Sequence, residues 1–366
     1  MPVTIILSLT ALQILIVFVH LAVYETIVTS FGIHSASFAV LFGVLSFTFL
    51  SGAVLAHRFH NPLVKWYYAF AAYWFGLAGF LFGAAVSFFI TANIFYAFFY
   101  VSPGLIAGVF LGAFFLLHAY GTWVSFRAET TNVRVSLANL PASWHGKKIV
   151  FVSDFHLGDI HDVRFSKKVA ENMMALAPEA IFIGGDLYDG VRCNLTEIIE
   201  PLRALKAPQG VYFVTGNHDY YLPNPALAFE AIRGLGIRIL DNEKISLDGI
   251  EFIGIDYKTS HKKKEFKKIL DTIGVVPGRP NVLIKHEPDH LDVLSGVGIN
   301  LGFFGHTHHG QIFPLNYLTR RIYRGFDYGL KQFGDAIKIY TSSGVGTWGP
   351  PLRLGTKSEI VLVEFV

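Results

Sequence analysis

Two scarcities frame this 366-residue chain. It has one cysteine, Cys193, so no disulfide can close within the chain, and cysteine usage says nothing of the compartment. Charge is almost missing from its start. Of 30 Lys and Arg and 27 Asp and Glu residues, only Glu25, Arg58 and Lys65 fall in the first 121 positions. A soluble domain carries roughly 25% charged residues, which excludes that class for this part. No basic segment or twin arginine opens the chain, so a cleaved signal peptide is not expected. No internal repeat or low-complexity segment is present.

In place of charge stand four apolar runs, at about 4–23, 37–57, 67–90 and 94–120. Each is near or above the ~20 residues a helix needs to cross a bilayer. Residues 1–121 therefore read as a transmembrane region of four helices. Gln13, His20 and Glu25 interrupt the first run or lie near its end, and His118 lies near the end of the fourth. Polar groups in a bilayer are costly and often functional, yet near a helix end they more often reach the interface. Trp66, Tyr67 and Tyr68 fit an interfacial aromatic belt. Arg58 and Lys65 share the second loop, whereas the first and third loops have no Lys or Arg. The positive-inside rule puts that loop in the cytoplasm, and an even number of spans returns the chain there. The expectation is a multi-pass cell-membrane protein with its large domain on the cytoplasmic face.

Residues 122–147 read as a connector, with a first strand in 130–137. The domain at 148–366 has short apolar runs rich in β-branched residues, which read as buried strands: 148–153, 180–184, 211–215, 251–255, 281–285, 301–304, 337–342 and 359–365. Helical stretches fit at 163–176, 195–205, 225–234 and 262–272. Strands alternating with helices predict an α/β domain.

Five motifs each follow an apolar run: SDFH (153–156), GGDLYDG (184–190), GNHD (216–219), KHEP (285–288) and GHTHH (305–309). Together they bring Asp, His, Asp, Asn and three further His residues, a donor set for two hard-to-borderline metal ions sharing one carboxylate. Two adjacent divalent ions with an open face suit hydrolysis of phosphate esters. In open α/β sheets ligands bind outside the carboxyl ends of strands, where all five motifs would converge.

The order and spacing of these motifs resemble the calcineurin-like metallophosphoesterase superfamily over roughly residues 145–366, most of all its membrane-associated bacterial branch of the YkuE/YaeI type. The late stretch SSGVGTWGPPLRLG (342–355) also looks like that branch. The resemblance implies an α/β/β/α sandwich of two sheets flanked by helices. It implies that Asp154, His156, Asp186 and His308 hold one metal, and Asp186, Asn217, His286 and His306 the other. Asp186 would bridge the pair, a carboxylate having two oxygens. His218 would face substrate and protonate the leaving oxygen, and Asp219 would orient His218. The mixed N/O donors contain no thiolate, which suits manganese, iron or zinc. Manganese is favoured by the resemblance. His309 stands where the branch has glycine, as a further substrate contact or, preferred, a surface side chain. His161 receives no role, and Asp159 and Asp189 read as partly solvated loop carboxylates.

Residues 312–330 combine Arg320, Arg321 and Arg324 with Phe313, Tyr317, Tyr323, Phe326 and Tyr328. They read either as a flap at the lipid interface or as a loop packed on the domain. The basic run 261–268 reads as a solvated helix face by default, or as a face drawn to an anionic leaflet. A net charge of +3 and a membrane tether do not favour nucleic acid. The bilayer and a small amphipathic phosphate are the expected partners. UDP-2,3-diacylglucosamine is the concrete candidate, with phospholipid or isoprenoid phosphates next. A reading of another class makes the spans a receptor or transporter and the domain its regulatory module. The complete donor set argues against it.

Overall fold

The structure, a computed structural model, describes residues 3–99 and 101–366. It divides into two compact units, Met1–Trp123 with Gly349–Leu352, and Val124–Trp348 with Arg353–Val366.

The first unit is built of helices α1 (Val3–Phe31), α2 (Ala36–Leu45), α3 (Thr48–Arg58), α4 (Pro62–Phe99) and α5 (Pro103–Ser125). Three stretches are long and apolar enough to cross a membrane: Ile6–Phe31, Pro62–Ala92 and Pro103–Ser125. The second apolar run is two helices, α2 and α3, bent by 42°, which makes a fourth candidate if the pair is one span. Hydroxyls explain the break. Ser46 Oγ donates to the Gly43 carbonyl and Thr48 Oγ1 to that of Leu45, each at 2.7 Å, in competition with the helix ladder. Gln13 from α1 supplies the missing bond, its Nε2 donating to Ser46 O at 2.9 Å. His20 likewise accepts from Trp74 Nε1 at 2.8 Å. These two interruptions therefore tie helix to helix.

The fourth run was expected from residue 94, but α4 continues to Phe99 and the new helix starts at Pro103. Thr91, which donates to Ser87 O at 2.7 Å, lies within the unbroken helix. Ser102 and Pro103 form the true start. Proline suits a first helical position, and the Leu105 N–H reaches Ser102 Oγ at 3.4 Å.

In the second unit, β1 (Ala128–Val135) is the first strand. The next strands are β2 (Lys148–Val152), β3 (Ala180–Ile183), β4 (Val211–Phe213), β5 (Arg238–Ile239), β6 (Glu243–Leu247), β7 (Ile250–Gly254), β8 (Asn281–Ile284), β9 (Leu301–Phe304), β10 (Gly329–Phe333), β11 (Ile337–Thr341) and β12 (Ser358–Phe365). The helices are α6 (Val163–Met174), α7 (Leu195–Ile199), α8 (Pro225–Gly234), α9 (Tyr257–Ser260), α10 (Lys263–Ile273) and α11 (Leu315–Ile322). One six-stranded sheet has the order β1-β12-β2-β3-β4-β5, the other β10-β11-β9-β8-β7-β6. The strands β2 to β5 run parallel, as do β7, β8, β9 and β11.

Strand alternation assigns each side chain to a layer. Ile149, Phe151 and Phe182 face Phe252, Val282 and Phe303 of the other sheet. Their neighbours Val150, Val152, Ile181 and Ile183 pack against Phe165, Val169 and Ile232 of α6 and α8. On the far side Ile253, Leu283 and Phe304 meet Phe266 and Leu270 of α10. The result is the expected four-layer α/β/β/α sandwich.

The strands β5, β6 and β10 and the helices α9 and α11 had no counterpart in the sequence reading. All three strands lie at sheet edges, where short segments such as EKISL and GLKQF need bury little.

Phe182 is 1% exposed and stacks on Tyr212 and Phe252 with centroids 5.2 and 4.6 Å away. Phe182→Ala opens a cavity between the sheets and is expected to lower stability by about 3–5 kcal/mol. Chemical denaturation of the detergent-solubilised chain checks this, with Phe182→Leu as the milder comparison.

Candidate metal centre

The strands β2, β3, β4, β8 and β9 all end at one edge of the sandwich, and their first turns carry the five motifs. Asp154, His156, Asp186, His306 and His308 have left-handed backbones, with φ of 57°, 48°, 51°, 68° and 49°. Such φ values are uncommon for residues other than glycine and mark strain stored at functional sites. Here they turn successive side chains inward from loops of only a few residues. The neighbouring glycines make room. A Cβ on Gly305 would collide with Ser153 and Asp154, and one on Gly216 with Asp186.

The donors gather into two groups. Asp154, His156 and His308 form the first, and Asp186, His286 and His306 the second. In the first, His156 Nε2 and His308 Nε2 are 3.0 Å apart, and Asp154 Oδ1 is 3.5 Å from His308 Nε2. In the second, Asp186 Oδ2 and His306 Nδ1 lie 3.1 and 3.2 Å from His286 Nε2. Asn217 Oδ1 joins it, 2.9 Å from His306 Nδ1. Asp186 Oδ2 is also 3.8 Å from His156 Nε2, which places this oxygen between the groups. All seven expected ligands thus come together.

The donor set fits divalent cations. His286 donates Nδ1–H to Gly184 O at 2.8 Å, which leaves Nε2 with a lone pair. His156 Nδ1 lies 3.2 Å from Asp189 Oδ1, a close charge contact without hydrogen-bond alignment, and its Nε2 faces His308. These inner nitrogens point at carboxylate oxygens and at other ring nitrogens, an arrangement that repels unless positive charge lies among them. Burial opposes a proton on His286 Nε2, yet the Asp186 and Asp154 carboxylates push His286 up to about 10, so they draw to this spot the positive charge that a bound cation would supply in the proton's place. The wholly buried Arg353 does not supply the charge by contact: it donates to the carbonyls of Ser343, Gly344 and Gly346.

Asp186 turns Oδ2 to the shared position, while its Oδ1 accepts the His218 N–H at 2.8 Å and keeps a lone pair for a cation. Three expectations change on inspection. Asp219 does not hold the His218 ring. Its two oxygens accept the N–H groups of Asp186, Leu187, Tyr188 and Gly216 at 2.8–3.2 Å, pinning the β3 turn to the β4 turn. The ring is held by Asp189, whose carbonyl accepts His218 Nδ1–H at 2.9 Å. Asp189 is less solvated than expected: its carbonyl orients His218, and its carboxylate lies 3.2 Å from His156 Nδ1. Asp159 is buried too.

His161 has a structural reason. Burial pulls it down to about 3, and its neutral Nε2 accepts from the Thr347 N–H at 3.0 Å. His309 has φ 51°, which explains a glycine preference at that position, and its ring stacks on Tyr328 at 4.3 Å. Two exposed aromatic residues beside His218 were not foreseen as part of the site. Tyr221 and Trp348 have ring centroids 4.9 and 6.2 Å from His218.

The calcineurin-like phosphoesterase family matches residues 147–310. An uncharacterized metallophosphoesterase of Aquifex aeolicus is 31% identical over 261 residues, 68% of this chain and 95% of that protein. A transmembrane protein with metallophosphoesterase domain from Bos taurus is 33% identical over 249 residues, 63% of this chain. The chain spans 55% of the length of that relative. The uncharacterized metallophosphoesterase YkuE of Bacillus subtilis is 28% identical over 252 residues, covering 64% of this chain and 84% of YkuE.

Residues that orient metal-ligating histidines typically contribute about 10–100-fold to metal affinity. Asp189→Ala is therefore expected to weaken divalent-metal binding by about that factor, read by titration of the metal-free chain. Asp189→Asn, which keeps an acceptor oxygen, should lose less.

Proposed function

We propose that this chain, which belongs to the calcineurin-like metallophosphoesterase family, hydrolyses a phosphate ester or pyrophosphate bond in an amphipathic substrate at a membrane. The observation that carries the reading is the pair of adjacent His/Asp groups with Asp186 Oδ2 between them. The domain implies a binuclear divalent metal centre. Manganese is our choice, with iron or zinc compatible with the same donors. When bound, the two ions supply Lewis acidity that activates water and neutralises charge on the phosphoryl oxygens.

The chain's own residues supply the rest. Donation of Nδ1–H to Asp189 O leaves His218 Nε2 as the atom that exchanges a proton with the leaving oxygen. The backbone N–H of His218 holds Asp186 Oδ1, so the proton carrier and the shared carboxylate are fixed to each other. Tyr221 and Trp348 flank the ring and narrow the access of water to it. This path needs no covalent enzyme intermediate.

The apolar helices and the Bos taurus relative support a membrane location. We read four spans, with α2 and α3 as one. Arg58 and Lys65 lie before and after the start of α4, and Arg127 and Arg134 follow α5, which favours a cytoplasmic domain. UDP-2,3-diacylglucosamine, phospholipids and isoprenoid phosphates are the amphipathic substrates to assay first.

The test is turnover of that panel, and of a water-soluble aryl phosphodiester, by the purified full-length protein with manganese. His218→Ala is expected to lower kcat by about 10²–10⁴-fold with both metals retained. Metal loss in that variant would remove the role assigned to His218. No turnover by the metal-loaded wild type would favour a regulatory module on a receptor or transporter.

A further inference from the structure

The helix α11 is amphipathic in the wrong sense for a soluble domain. Its half-buried positions are Asn316 and Thr319, continued by Tyr323 just past its end. Its apolar residues Leu315, Leu318 and Ile322 share another face and are 52%, 57% and 61% exposed. A surface helix normally turns its apolar stripe to the core. None of the eight residues of α11 is buried.

Both ends of α11 are fixed to the metal centre. At the start, a Cβ on Gly310 would lie 2.5 Å from Asn316 N, so the helix rests on the backbone that follows His308. At the end, Tyr323 Oη donates to Glu287 Oε1 at 3.1 Å, and that oxygen is 3.7 Å from His306 Nε2. The helix is part of the rim of the site, and its apolar ridge faces outward. Arg320, Arg321 and Arg324 are exposed beside the ridge and have no carboxylate partner among the described residues. Phe313 and Tyr317 stand exposed at the other end.

We propose that α11 seats in the headgroup boundary of a bilayer containing anionic lipids. Leu315, Leu318 and Ile322 enter the acyl region, and the three arginines pair with lipid phosphates. Exposed apolar side chains with flanking cations are what such a surface binds. The two-metal centre then opens at lipid level, where the phosphate of a bilayer-resident substrate lies. This last step rests on the amphipathic-substrate reading above; the seating of the helix does not.

The test uses the full chain in vesicles of phosphatidylcholine with and without phosphatidylglycerol. A nitroxide is placed at Leu318→Cys in a Cys193→Ser background, with Lys167→Cys on α6, a 71% exposed side chain, as the solvent reference. The expected result is a label at 318 open to oxygen and shielded from a water-soluble nickel chelate, more so with phosphatidylglycerol. A label open to the nickel chelate overturns the proposal. Shielding from both reagents, with broadening between labels, means a second copy covers the ridge and overturns it as well. In parallel, Leu318→Glu is expected to lower kcat/KM on vesicle-borne lipid phosphates about tenfold and to leave a water-soluble aryl phosphodiester unaffected. A lipid-buried label without lipid-phosphate turnover removes the substrate reading and leaves the docking standing. Lipid-phosphate turnover with a solvent-exposed label does the reverse.

Discussion

Two carboxylates, those of Asp154 and Asp186, are buried at the end of the sandwich among imidazole rings. Buried negative charge of this kind is costly unless positive charge is held against it. Much of the surrounding architecture serves that condition. Imidazoles are turned so that their inner nitrogens converge, and their far nitrogens lie against Gly184 and Asp189. The buried Arg353 is spent on carbonyl groups of the 342–347 loop, and the vacant charge requirement falls to metal ions.

The left-handed residues show how the sheets and the centre depend on each other. A ligand turned through such a backbone is stable only where its flanks are over-determined. The flanks here are buried strands with side chains packed on both faces, and Asp219 joins two of the turns through four amides. The sandwich therefore provides rigidity as well as position.

The sequence made the strands near the centre legible because they are buried on both faces and read as continuous apolar runs. KIVFV and LGFF are of this kind. Edge strands such as EKISL carry no such pattern, and α11 was hidden because its apolar residues do not face the core. Which donors gather at the centre was legible from motif order and resemblance. The second tier of partners was not. Asp189 follows a tyrosine in a loop, and nothing local says that it meets two histidines from other positions. Asp219 adjoins His218 in sequence, which suggested a partnership that the backbone turns apart. That one oxygen of Asp186 also accepts an amide N–H is likewise a property of the folded turn alone.

The placement of Asp219 has a bearing on how genetic evidence at this site should be weighed. Its carboxylate is the knot between two turns, and it touches no ring that handles protons. Loss-of-function alleles at this codon would report a mechanical failure, in which two correctly made halves of an active site drift out of register. Inactivity alone therefore cannot separate the tool from the clamp that holds it. Only alleles at His218, read beside those at Asp219, distinguish them.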